Sequence, residues 1–128
     1  MEESKFKFHG YRISKIYCEI KDTYGIKPEK MSQHIEVNHV IDNENSRIVV
    51  VNMNVRITSQ TESILFELLI KGVFEAEKDM PEDLFKTLYS VNAPAILYPY
   101  VRAIVSSYTA QANIPAVIPP LMNFTQPK

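Results

Sequence analysis

Residues 48–77 read IVVVNMNVRITSQTESILFELLIKGVFEAE, and for most of that length the apolar side chains recur at every second position. In the second half the even positions are Ile64, Phe66, Leu68, Ile70, Phe74 and Ala76, broken only by Gly72, while Glu67, Lys71, Glu75 and Glu77 fall on the odd ones. A period of two with one polar side marks a half-buried strand. In the first half Val49, Val51, Met53, Val55 and Ile57 alternate with Val50, Asn52, Asn54, Arg56 and Thr58. Only Ser59-Gln60-Thr61 joins the two runs, so they must be antiparallel neighbours. Gly72 inside the second run predicts a bulge or the close approach of another backbone.

The pattern extends in both directions. Upstream, Ile35, Val37, His39 and Ile41 alternate with Glu36, Asn38 and Asp42, and Asp42-Asn43-Glu44-Asn45-Ser46 supplies turn residues, which completes a three-strand meander. From Phe6 to Ile20 the apolar phase shifts twice, from Phe6/Phe8 to Tyr11/Ile13 and then to Ile16/Cys18/Ile20. A shift of one residue swaps the faces of a strand, so this one is expected to bend, bulge or pass between neighbours. Tyr24-Gly25-Ile26-Lys27-Pro28 is expected to cross from it to the meander.

Downstream, Pro81-Glu82-Asp83 places proline and acids where a helix N-terminus favours them, predicting a short helix to about Ser90. A longer helix is expected within 92–110, with Leu97, Val101, Ile104, Val105 and Tyr108 on its sheet-facing side and Pro99 in its first turn or at a kink. Beyond Ala112 the prolines forbid a helix, yet the chain is too apolar to be left in water. From Thr87 through Gln126 the only charged residue is Arg102. So uncharged a third must be covered by its own sheet or by another molecule.

With 128 residues, 45% of them hydrophobic and 23% charged, the chain is expected to form a single domain, 1–128. Fourteen Lys and Arg against fifteen Asp and Glu leave a formal charge of −1, which argues against nucleic acid as a partner. Gly10, Gly25 and Gly72 are too scattered for a phosphate-cradling loop. One cysteine, Cys18, and a charged N-terminus fit a cytoplasmic location. The prolines of 103–127 argue against membrane insertion. His34 and His39 sit five apart on a strand and so point to opposite faces, which argues against a metal site there; Cys18 has no activating neighbour in sequence. No cofactor is expected and catalysis is not indicated. The residues alone thus describe an α+β domain, antiparallel strands first and helices after.

Asn92-Ala93-Pro94-Ala95-Ile96-Leu97-Tyr98-Pro99-Tyr100-Val101-Arg102, the later Ile114-Pro115, and Pro119-Pro120-Leu121-Met122-Asn123-Phe124 together resemble the SecB protein-export chaperone family. Glu67 to Phe74 looks like that family's glycine-interrupted strand, so the resemblance covers nearly the whole chain. It implies a four-stranded antiparallel sheet with a long helix beside it, edge-strand dimers, and a homotetramer built as a dimer of dimers, with a dimer as the fallback. It implies a holdase for unfolded or newly made polypeptides, delivering preproteins to the SecA motor ATPase in the export branch. The alternative is a dedicated chaperone for one partner, such as an antitoxin.

The client-binding candidates are Phe8, Tyr11, Tyr98, Ile118, Leu121 and Met122, aromatic or flexible apolar residues of the irregular first strand, the long helix and the proline-rich tail. The partner-docking candidates are Glu19, Leu65 and Glu67, which resemble parts of the family's motor-docking motifs. Lys15 stands where the family has an acid, and only Thr125 to Lys128 follow Phe124 where the export branch continues into a second helix. Ile96, Tyr100, Ala103 and Ser107 form a weakly charged helix flank suited to a second copy.

Overall fold

In a computed structural model that describes residues 5–21 and 30–124, the chain runs β1 (Phe6–Ile20), β2 (Met31–Ile41), β3 (Ile48–Ser59), β4 (Ile64–Ala76), α1 (Glu82–Thr87) and α2 (Ala93–Gln111). The four strands form one antiparallel sheet in the order β1-β4-β3-β2. The expected crossover at Tyr24 to Pro28 lies outside the described residues. Asp42 Oδ2 accepts hydrogen bonds from the backbone N–H of Glu44 and Asn45, at 3.1 and 2.9 Å, closing the β2–β3 turn as its composition suggested.

The period-two reading of β3 and β4 translates directly into burial. Val49, Val51, Met53, Val55, Phe66, Leu68, Ile70 and Phe74 are all 0–1% exposed and lie on the face that α2 covers. The two phase shifts in β1 are two bulges, between Phe8 and Tyr11 and between Ile13 and Lys15. Register pairs Phe8 with Phe74, Tyr11 with Gly72, Ile13 with Ile70, Ile16 with Leu68 and Cys18 with Phe66. Each bulge inserts one residue, so Phe8, Tyr11, Ile13, Ile16 and Cys18 all return to the covered face instead of turning away. Gly10, in the first bulge, has a φ of 103°, which side-chain-bearing residues rarely adopt.

Gly72 corrects one expectation. Its own strand stays in unbroken register with β3, and the bulge lies opposite, in β1. What approaches is a side chain rather than a backbone: a Cβ on Gly72 would sit 2.6 Å from Leu97 Cδ2 of α2. The missing side chain lets the helix close onto the sheet.

The helical region differs from the expected pair of separate helices. α1 ends at Thr87, and a π-helical turn, Leu88–Asn92, runs on into α2 without a break. Its cause lies in the sequence: the N–H of Ala93 reaches back five residues to Leu88, and the next residue, Pro94, has no N–H to give. The ring of a proline also crowds the carbonyl four residues back, which for Pro94 is that of Ser90, and a widened turn gives it room. Leu97, Val101 and Val105 face the core as expected, joined by Ala93, Pro94, Tyr98 and Thr109. Ile104 is half-buried, and Tyr108 is 40% exposed, meeting Phe66 edge-on at 5.5 Å. Pro99 lies in the second turn, inside the helix. At the other end Arg47 ties β3 to α1: Nη1 donates to the Met80 carbonyl at 3.0 Å, Nη2 pairs with Glu82, and the guanidinium lies over Phe85.

Candidate functional site

Along one border of α2, the covered face of the sheet is left partly open. Ile13 and Ile16 point to the helix side, yet are 47% and 37% exposed. Phe8 is half-buried and stacks on Phe74, with ring centroids 5.0 Å apart. Tyr11 meets Tyr100 at 4.6 Å, and Tyr100 remains 39% exposed. Tyr11, Ile13, Ile16, Tyr100 and Tyr108 therefore border an apolar trough between β1 and α2. It exists because the bulges keep the apolar groups of β1 on this face while α2 leaves them uncovered. Ile13, Ile16, Tyr100 and Tyr108 were not among the candidates; the phase of β1 carried the signal for the first two.

The opposite border of α2 is closed by the tail, residues 113–124. Thr109 Oγ1 donates to the Val105 carbonyl and accepts the N–H of Val117, both at 2.8 Å. Arg102 Nε donates to the Pro119 carbonyl at 2.9 Å, and Tyr98 donates its hydroxyl to the Pro120 carbonyl. Gln33 Nε2 of β2 donates to the same Tyr98 oxygen at 3.0 Å, and Phe124 lies edge-on to the Tyr98 ring. Tyr98 is only 4% exposed, so as described it offers no free surface and instead holds the tail. The tail is covered in part: Ile114, Val117 and Pro119 are buried, whereas Ile118, Leu121 and Met122 are 70%, 81% and 40% exposed. Anchored backbone groups and outward apolar side chains give a water-facing apolar edge.

The outer face of the sheet carries the docking candidates. β1 and β4 are neighbours, so Glu19 lies opposite Leu65 and Tyr17 opposite Glu67. Leu65 and Glu67 are half-buried rather than fully exposed, because β4 is a central strand. Tyr17 donates to Glu19 Oε2 at 2.7 Å; that hydrogen bond, with the carboxylate's charge, holds the phenol above its ordinary range. Arg56 lies across from Glu67 on β3, so the patch is of mixed sign. Tyr17 was legible at two residues from Glu19, whereas Arg56 needed the register. Lys15 lies opposite Leu69 on the same face.

Reactive chemistry is sparse. His34 pairs with Glu36 on the outer face, and His39 packs on Tyr89 from the inner one, with centroids 4.4 Å apart. His9 lies 2.8 Å from Glu75. Among the described residues no three or more His, Cys, Asp or Glu gather to hold a metal ion, and no helix is long and apolar enough to cross a membrane. Burial pushes the Cys18 thiol up, away from the thiolate a nucleophile needs.

Comparison with known proteins follows the same lines. The family model described as preprotein translocase subunit SecB matches residues 19–126. Protein-export protein SecB of Anaplasma marginale is 32% identical over 77 residues, 58% of this chain and 44% of that protein, so the chain spans less than half the length of that relative. An uncharacterised protein of Methanocaldococcus jannaschii is 30% identical over 126 residues, 91% of this chain and 78% of that one. Among solved structures, the SecB-like chaperone of Mycobacterium tuberculosis, in complex with a peptide from an antitoxin, superposes with a TM-score of 0.78 at 13% identity, covering 93% of this chain and 88% of that one.

Proposed function

This chain belongs to the SecB family, and on that premise we propose that it is a cytoplasmic holdase, binding unfolded or newly made polypeptides without catalysis. The observation that carries the reading is the exposed apolar edge formed by Ile118, Leu121 and Met122 on a tail pinned by Arg102, Tyr98 and Thr109. The trough of Tyr11, Ile13, Ile16 and Tyr100 supplies a second surface on the other side of α2. Burying an apolar client side chain contributes about 1.5–3 kcal/mol and needs no particular sequence, which suits a protein that accepts many clients. Tyrosine and methionine add adaptability at such surfaces. Phe8 backs the trough, and Tyr98 acts by holding the tail. The expected result is stoichiometric suppression of aggregation when reduced lysozyme is diluted out of guanidinium. Failure with this and other unfolded clients would refute the reading.

Delivery to SecA is the finer proposal, and it rests on Glu19, Leu65 and Glu67. Their register places two carboxylates around one leucine, a rim charge with a small apolar contact. Glu67→Lys should abolish SecA binding while leaving the melting temperature unchanged; unaltered binding would remove the export link and leave the holdase standing. A second reading, one dedicated partner, is favoured by the fold it shares with a chaperone that holds an antitoxin peptide. Affinity capture returning one protein instead of many separates the two. For assembly we propose a tetramer, using the free edge of β1 and the flank of Ile96 and Tyr100, which are 37% and 39% exposed.

A further inference from the structure

Next to the acidic docking candidates, the outer face of the sheet changes sign. Register sets Arg12 of β1 directly opposite Lys71 of β4, and Lys15 lies opposite Leu69, the next outward position. Among the described residues none of these three cations has a hydrogen-bond or ion-pair partner. Like charges facing each other across a ladder destabilise it, and the other end of the same ladder avoids this by setting Lys7 opposite Glu75. Arg12 and Lys71 also border a hollow made by the first bulge of β1. Val50 and Val73 of the central strands line it, together with His9, Gly10, Tyr11, Ile13 and Ser14 of β1. An unanswered cationic pair beside an aliphatic concavity is complementary to a carboxylate next to an apolar side chain.

We propose that this hollow docks a short acidic segment of a partner protein, its carboxylates between Arg12, Lys71 and Lys15 and an aliphatic side chain on Val50 and Val73. The extent of the patch selects this occupant. Glu67 bounds it at one end and Glu75 at the other, and the chain carries a formal charge of −1. Both carboxylates are already faced by cations, Arg56 across from Glu67 and Lys7 opposite Glu75, so the unanswered positive charge is confined to three residues and matches a segment a few residues long rather than a continuous phosphate backbone. The proposal does not rest on the holdase reading: Arg12, Lys71, Lys15, Val50 and Val73 lie on the outer face of the sheet and need no unfolded client, and Tyr11 and Ile13 border both the hollow and the trough where β1 bulges.

The probe is a short fluorescein-labelled peptide alternating Glu and Leu, followed by anisotropy with the full chain; its controls are the matching Gln and Leu peptide and an equally short single-stranded DNA. The acidic peptide should bind, the glutamine peptide should not, and roughly 0.3 M salt should weaken binding severalfold. Arg12→Gln and Lys71→Gln should each cost about tenfold in affinity, while Lys86→Gln, on exposed α1, should cost nothing. Relief of like-charge repulsion should leave the Lys71→Gln melting temperature equal to or above that of the unmodified chain, so lost binding cannot be ascribed to unfolding. Equal binding of the glutamine peptide, affinity unchanged by both Arg12→Gln and Lys71→Gln, or tighter binding of the DNA would each overturn the proposal.

Discussion

Leu97 and Gly72 meet where α2 crosses the sheet, and the contact leaves no room for a methyl group. Gly72→Ala would put its Cβ 2.6 Å from Leu97 Cδ2 and 3.0 Å from Phe74 Cε1, both in side chains that are 0% exposed. The helix or the rings must shift, and overpacking of this kind costs about 1–3 kcal/mol. Urea denaturation should register that loss. Adding Leu97→Ala should give a double variant less destabilised than the sum of the singles, since each change relieves the other's defect. On the opposite face, Tyr17 answers to Glu19. The hydrogen bond to that carboxylate comes first among the causes that raise the phenol above its ordinary 10.0. The folded chain then holds this proton more tightly than the unfolded chain does. Its stabilising contribution is present below pH 10 and fades as pH climbs through the raised value. Ultraviolet titration should find one tyrosine ionising later than free tyrosine, and Glu19→Gln should return it toward the ordinary range.

At the scale of elements, the tail depends on side chains that reach its backbone. Thr109→Val would keep the shape of the residue but leave the buried N–H of Val117 without its acceptor, a cost of about 1–3 kcal/mol. Hydrogen exchange should show faster exchange at Val117, with the strands unaffected. Tyr98→Phe removes the donor to Pro120 and the acceptor for Gln33 together, and should speed proteolysis within 114–124. The strands were legible because burial on one face imposes a period of two, and even the β1 bulges left a trace as phase shifts at Phe8/Tyr11 and Ile13/Ile16. The π turn was not legible. It goes with Pro94, which has no N–H and crowds the preceding turn, and a pattern of apolar positions does not register that. Nor could apolarity separate the parts of the tail: Val117 and Ile118 are alike in sequence, yet one is 8% exposed and the other 70%. Which of them faces water is decided by the bond from Val117 to Thr109.

At the scale of the whole molecule, the sheet has one face under α2 and one face open, and the apolar side chains left uncovered lie on both borders of the helix. Self-association should hide part of them. Light scattering at micromolar concentration is expected to report a tetramer, with a dimer as the minimal assembly, and Tyr100→Glu on the helix flank should reduce the mass without lowering helix content. A monomer in the unmodified chain would contradict the assembly. The central claim is that outward apolar side chains on a fixed edge hold unfolded polypeptides, and the chain's composition allows a direct reading of it. The sequence contains no Trp, so tryptophan emission from a bound client reports on the client alone. Titrating this protein into a permanently unfolded, Trp-bearing polypeptide, such as reduced and alkylated lysozyme, should shift that emission to the blue and saturate near stoichiometry. The triple substitution Ile118→Ser, Leu121→Ser, Met122→Ser should weaken the interaction by about tenfold or more, the loss of apolar burial at three exposed positions, with the melting temperature preserved. Undiminished binding by the triple variant, or no blue shift with the unmodified chain, would contradict the account.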